Sequence, residues 1–322
     1  MKISLFLLKF IVIIVLFLFL YNNQSLDFRI LKGLHSNPST ISFAIALMVL
    51  STTLAGIRLL VILKILGIHV TALRSIGVTF IGHLSANVAL GPLFSEVVRL
   101  TYLFGNSKRG LSHALSALLI DKLLGMAGLL MVITGIIVIF TEKATLASPN
   151  NTELLSLMIG VFLSIIIVIF FSPAIMSKLS IFLQKFGKVK WSQQAQELSA
   201  ALRNFQTLPT KTFFVFLLMI LTHMVSMGAN VYFCLQISNY LVRAEGFAIA
   251  TALAQLSNAL PISPAGLGVG ETVFDAVCRL FAGNEITYGF ASLFLALRVL
   301  SVVSGLPALI FILTLRVKQN KS

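Results

Sequence analysis

Residues 256–280, LSNALPISPAGLGVGETVFDAVCRL, set the strongest constraint on what this chain can fold into. The stretch lies deep in apolar sequence, yet it holds Pro261, Pro264, Gly266, Gly268 and Gly270 together with Glu271, Asp275 and Arg279. Each proline removes a backbone donor, and the glycines fall where the chain needs unusual dihedrals, so one lipid-facing helix cannot contain them all. In hydrocarbon, broken backbone persists only inside protein or beside a water-filled cavity. The expected structure is therefore a re-entrant or discontinuous helix lining a site, with a proline-kinked spanning helix as the alternative.

The rest of the chain agrees with a bilayer setting. Hydrophobic residues make up 58% of the 322, only 11% are charged, and mean hydropathy is +1.00. This is the composition of an all-α polytopic membrane protein. The formal charge of +14 does not point to nucleic acid, because the basic residues are scattered over loops and form no aromatic-interleaved face. Loops facing anionic lipid account for it better. Cys234 and Cys278 stand in apolar segments without a CxxC pair, and the five histidines show no metal-ligand spacing. Neither a disulfide framework nor a metal site or cofactor is expected.

Residues 5–21 read as an uncleaved first span, and residues 41–63 as a second that carries Arg58 near its end. Residues 76–104 are apolar but broken at Gly91 and Pro92, with Glu96 and Arg99 on one helical face just beyond. They form a second candidate re-entrant element. Spans follow at 112–140, which contains Asp121 and Lys122, and at 154–171, separated by a polar loop. Within residues 172–211, Trp191, Ala195, Leu198, Leu202 and Phe205 recur at helical spacing. That pattern suits an amphipathic helix on the membrane surface or an ordinary polar linker helix. Residues 212–237 and 286–315 span again, the last with Arg298 embedded in it.

Loop Lys and Arg choose the topology. With both broken segments re-entrant, six helices span, both termini are cytoplasmic, and basic loop residues divide 14 inside to 4 outside. With both crossing fully, the division is 8 to 10. The re-entrant arrangement makes the halves 41–140 and 212–315 inverted copies joined by a cytoplasmic linker, 173–211. Glu96 matches Glu271 at an offset of 175, and Ser116, Lys122 and Leu124 match Ser292, Arg298 and Leu300 at 176. Inverted repeats with broken helices are the architecture in which transporters place their substrate site.

Ionisable residues inside a membrane are functional candidates by default. Here they are Glu96, Arg99, Asp121, Lys122, Glu271, Asp275, Arg279 and Arg298, and a purely structural role, acids and bases neutralising one another, is the competing explanation. On the functional reading Arg99, Lys122 and Arg298 meet an anionic head-group. Helix N-termini after Pro92 and Gly268 add backbone donors. Glu96 and Glu271 orient the bases, while Ser85, Asn87, Ser257, Asn258 and Ser263 complete a polar path. Gly91, Pro92, Pro261, Pro264, Gly266, Gly268 and Gly270 are the expected hinges. No nucleophile elbow or phosphate-cradling Walker sequence is present, so an enzyme is not expected.

The blocks PLFSEVVRLTYLF, SALLIDKLLGMAGLL and LPISPAGLGVGETVF, in this order, resemble the membrane domain of the lysylphosphatidylglycerol synthase family, over roughly residues 10–315. The family's P-x-x-G-E-x-x-R block stands here as Pro92, Ser95, Glu96 and Arg99. Its D-R-x-x-G block stands as Asp121, Lys122 and Gly125, and its L-P-x-x-P-G-G-x-G-x-x-E block as Leu260, Pro261, Pro264, Ala265, Gly266, Gly268 and Glu271. Lysine in place of arginine at 122 loses bidentate phosphate recognition. The resemblance implies a standalone flippase-like domain, without the aminoacyl-transferase domain, in a prokaryotic cytoplasmic membrane. It would move a phosphate-bearing lipid, such as an aminoacylated one, between leaflets. Rival expectations are a polyprenyl-phosphate or glycolipid carrier serving a glycosyltransferase, and a non-transporting subunit of a lipid-modifying enzyme.

Overall fold

The structure is a computed structural model that describes residues 18, 21–22, 37–88, 92–104, 111–141, 172–259, 263, 266–282 and 289–319. The expected span at 154–171 and the proposed hinges Gly91, Pro261 and Pro264 lie outside them, as does the span at 5–21 apart from isolated positions. The described residues are helical and contain no strand. In chain order the helices are α1 (Pro38–Ile65), α2 (Ala72–Val88), α3 (Pro92–Phe104), α4 (Leu111–Thr141), α5 (Pro173–Lys185), α6 (Val189–Thr207), α7 (Pro209–Ile237), α8 (Ala244–Ala259), α9 (Val269–Ala282), α10 (Phe290–Ser304) and α11 (Ala308–Gln319).

Four described segments are long and apolar enough to cross a bilayer: Pro38–Ile65, Ala114–Ile136, Pro209–Ile237 and Phe290–Leu315. Between them lie shorter helices. Helices α2 and α3 have 17 and 13 residues, and α8 and α9 have 16 and 14, all below the ~20 apolar residues a spanning helix needs. Pro92 is the first residue of α3, where its missing N–H costs nothing. Before α9, Gly266 and Gly268 take φ of +69° and +84°, values that penalise any residue with a Cβ.

The chain packs as two compact units. The first comprises residues 1–51, 81–95 and 224–308, the second residues 52–80, 96–223 and 309–322. Lipid tails are as apolar as leucine, so helices in a membrane associate through close packing and interhelical hydrogen bonds rather than through the hydrophobic effect. The first unit follows this rule around four fully buried phenylalanines, Phe233, Phe247, Phe274 and Phe290. The Phe274 and Phe294 rings lie 5.0 Å apart. Ala229, Ala250 and Ala254, all fully buried, let the neighbouring backbones approach.

The second unit buries Leu59, Ile62 and Leu63 of α1 with Leu118, Ile120 and Leu124 of α4 and Val215 and Met219 of α7. Gly56 makes the crossing of α1 and α2 possible, because a Cβ there would stand 2.7 Å from Ile76 Cα. The Ser75 hydroxyl seals that crossing by donating to the Gly56 carbonyl at 2.8 Å. Helices α5 and α6 form a hairpin in the same unit. Ala195, Leu198, Leu202 and Phe205 of α6 are buried in its core, and only Trp191 of the expected stripe is exposed. The stripe faces protein rather than lipid because α6 packs on α4 and α5, which cover it.

Candidate functional site

Among the described residues, each unit holds a cluster in which arginine and carboxylate are buried together. In the second unit Asp121 of α4, 4% exposed, sits between two arginines. Arg58 of α1 donates from Nε to Asp121 Oδ1 at 2.8 Å, and Arg99 of α3 donates from Nη2 to Asp121 Oδ2 at 2.8 Å. Arg99 Nη1 reaches back to Glu96 at 3.2 Å, the pairing that their spacing on one helical face leads one to expect. The Asp121 carboxylate is thus held by a helix-borne guanidinium on each oxygen. That geometry repays part of the desolvation cost of burying the charges.

Two donors of this cluster remain without a partner. Arg58 Nη1 and Arg99 Nε are buried and make no hydrogen bond, although both side chains are over nine-tenths buried. Lys122, the next residue along α4, is half-buried and makes no ion pair with another described residue. His223 of α7 also carries a buried Nε2 with no partner. It packs so closely on α4 that a Cβ at Gly128 would lie 2.6 Å from its ring.

In the first unit the cluster closes on itself. Arg298 of α10 pairs through Nε with Glu271 Oε1 at 2.6 Å. Its Nη2 donates to the Gly266 carbonyl at 2.8 Å and to Asn258 Oδ1 at 3.0 Å. Glu271 is fully buried and stands at the third position of α9, from which its Oε2 accepts the Gly268 N–H at 2.8 Å. That is the acidic half of a capping box, and it occupies a backbone donor at the start of the helix. Gly266 and Gly270 make room for Asn258, whose Oδ1 any Cβ at either position would overlap. Ser263 completes the turn, its hydroxyl donating to the Leu267 carbonyl at 2.8 Å. Arg298 therefore ties the end of α8, the glycine turn and α9 to α10.

The remaining sequence-predicted residues are dispersed. Asn87 donates to the His83 carbonyl one turn back in its own helix, at 2.9 Å. Arg279 pairs with Asp275 of the same helix at 2.8 Å and is 30% exposed. The residue that the sequence reading leaves out of the site is Arg58. Its position inside a 28-residue apolar helix is the signal that marks it, since an intramembrane arginine is costly unless it is paired. His83 carries no such sequence signal, yet its Nε2 lies 3.0 Å from the Ser301 carbonyl and 3.4 Å from the Ser304 hydroxyl. Among the described residues no group of His, Cys, Asp and Glu is arranged to hold a metal ion.

Long apolar helices, pairs of short helices and buried arginine–carboxylate clusters define a multi-pass α-helical membrane protein. The chain matches the family described as Lysylphosphatidylglycerol synthase TM region over residues 6–314, and it belongs to that family. The match is to the membrane region of the family, which relates this chain to lipid handling. No curated protein matches it.

Proposed function

We propose that this protein is a non-enzymatic lipid flippase that moves a phosphate-bearing lipid between the leaflets of a prokaryotic cytoplasmic membrane. The observation that carries the reading is the pair of unpartnered guanidinium donors, Arg58 Nη1 and Arg99 Nε, buried beside Asp121, with Lys122 on the next residue forming no ion pair among the described residues. A buried donor without an acceptor costs about 1–3 kcal/mol, more when it is charged, and a phosphate oxygen would remove that penalty. Lys122 supplies a mobile point charge that can follow a head-group, whereas Arg298 is held in protein contacts and acts as the latch of the second broken element.

In this reading α2–α3 and α8–α9 are re-entrant, enter from opposite faces and belong to inverted repeats, residues 41–140 and 212–315, with both termini cytoplasmic. The helix lengths run in parallel, 28, 17, 13 and 31 residues for α1–α4 against 29, 16 and 14 for α7–α9. The same basic sites would suit an aminoacylated phospholipid or a polyprenyl phosphate, since both present a phosphate to the protein.

The test is translocation of a fluorescent anionic phospholipid in proteoliposomes, comparing wild type with Lys122→Gln. Lys122 makes no ion pair with a described residue, so the variant should melt within about 0.5 kcal/mol of wild type. Its transport should fall by roughly tenfold, the loss of one charge-assisted phosphate contact of ~1.4 kcal/mol. Transport at the wild-type rate would remove Lys122 from the path and the reading with it.

A further inference from the structure

The outer face of the α5–α6 hairpin has a composition that neither helix packing nor lipid transport calls for. The inner faces are accounted for. Met176 and Ser180 of α5 and Ser192, Leu198 and Phe205 of α6 are buried. The Ser180 and Ser192 hydroxyls meet at 3.0 Å, and the Ser199 hydroxyl donates to the Pro173 carbonyl at 2.8 Å. Around the turn Phe182 and Phe186 lie opposite the buried face of α5, and Trp191 stands at the free end of the α6 stripe; they are 57%, 66% and 65% exposed. The two phenylalanine rings lie 4.7 Å apart.

Basic residues are interleaved with these aromatics. Lys178, Lys185 and Lys188 are exposed, and residues 173–196 contain four lysines and no Asp or Glu. On a helix with 100° per residue, Lys178, Phe182 and Lys185 fall on one strip with Phe186 beside it, opposite the buried Met176 and Ser180. Three exposed aromatics would be a liability in water. Four lysines and a row of glutamines at 184, 193, 194 and 196 would be one in the acyl chains. The one layer that suits both is the head-group region, where aromatic rings and snorkelling lysines sit at the same depth.

The hairpin is also held at the right level. Only Leu208 separates α6 from the spanning helix α7, and the Thr212 hydroxyl donates across that joint to the Phe205 carbonyl at 2.6 Å. Phe213 and Phe214 at the start of α7 are exposed, as a lipid-facing helix end requires.

We propose that the tip of the α5–α6 hairpin is a docking surface for anionic phospholipid, with Phe182, Phe186 and Trp191 set among the head-groups and Lys178, Lys185 and Lys188 on their phosphates. It needs only that the chain is in a membrane, and it stands whether or not the charged clusters move lipid.

Trp191 is the single tryptophan of the chain, so the full-length protein reports on this surface without a label. In nanodiscs of phosphatidylglycerol with phosphatidylcholine, lipids brominated near the head-group should quench Trp191. Its quenching by acrylamide should be about threefold weaker than in phosphatidylcholine alone, a small part of what three lysines could contribute, because the hairpin is already tethered at the membrane in both lipids. The variant K178Q/K185Q/K188Q, with its melting temperature unchanged, should lose the difference between the two lipids. Equal acrylamide access in both lipids with no bromolipid quenching overturns the proposal. So does protection in detergent that rises with protein concentration, which would assign the face to a second copy of the chain, or protection that appears only when a soluble protein is added.

Discussion

Arg298 in one unit and the Arg58–Asp121–Arg99 group in the other put the same chemistry, guanidinium against carboxylate under burial, to different uses. Arg298 has its Nε ion-paired with Glu271 and its Nη2 hydrogen-bonded to Asn258 and the Gly266 carbonyl, so it fixes the glycine turn before α9. In the other unit one carboxylate serves two arginines, and each arginine keeps a buried nitrogen without an acceptor. The difference lies in the ratio of acceptors to donors. A side-chain carboxylate, a side-chain amide and a backbone carbonyl surround one guanidinium in the first case. Two guanidiniums share Asp121 and the part-exposed Glu96 in the second. A closed cluster favours rigidity, and one left short of acceptors favours an incoming anion.

The largest effect that would break this comparison is expected at Asp121. Asp121→Asn removes the charge shared by Arg58 and Arg99 and should cost about 3–5 kcal/mol, the range for breaking a buried pair. It would be read as a loss of thermal stability in detergent and of folded yield; a melting temperature near wild type would show that the arginines do not depend on Asp121. Glu271→Gln should come next, at roughly 2–3 kcal/mol, because Asn258 and the Gly266 carbonyl still hold Arg298 when the charge is gone. If hydrogen exchange at the start of α9 stayed as slow as in wild type, the latch would not be what holds the turn.

Smaller again is Gly270→Ala, about 1–3 kcal/mol from overpacking against Asn258. The Asn258→Ser background should reduce that increment, and full additivity of the two substitutions would place Asn258 elsewhere. Lys122→Arg sharpens the contrast from the other side. Stability should change by less than about 0.5 kcal/mol, while retention of phosphate lipid through purification, measured by mass spectrometry, should rise because a fork replaces a point charge.

Much of this was legible along the chain. Helix α3 begins at Pro92 and α9 just after Gly268, because proline and glycine act on the backbone locally, whatever surrounds them. The pairing of Glu96 with Arg99 was legible too, since three residues of helix bring both to one face. The α6 stripe had the right period, but the sequence could not say whether lipid or protein would cover it.

Sequence alone determined the membrane setting, the helical class, the places where helices must break and the family to which the chain belongs, because each follows from local composition or from a pattern fixed in order along the chain. Tertiary structure decided which charge meets which. Arg58 and Asp121 are 63 residues apart and Glu271 and Arg298 are 27, and nothing in a one-dimensional pattern ranks these pairs above others. The choice is made by helix packing, which sets the few ångströms over which a buried charge is either compensated or left open for a ligand.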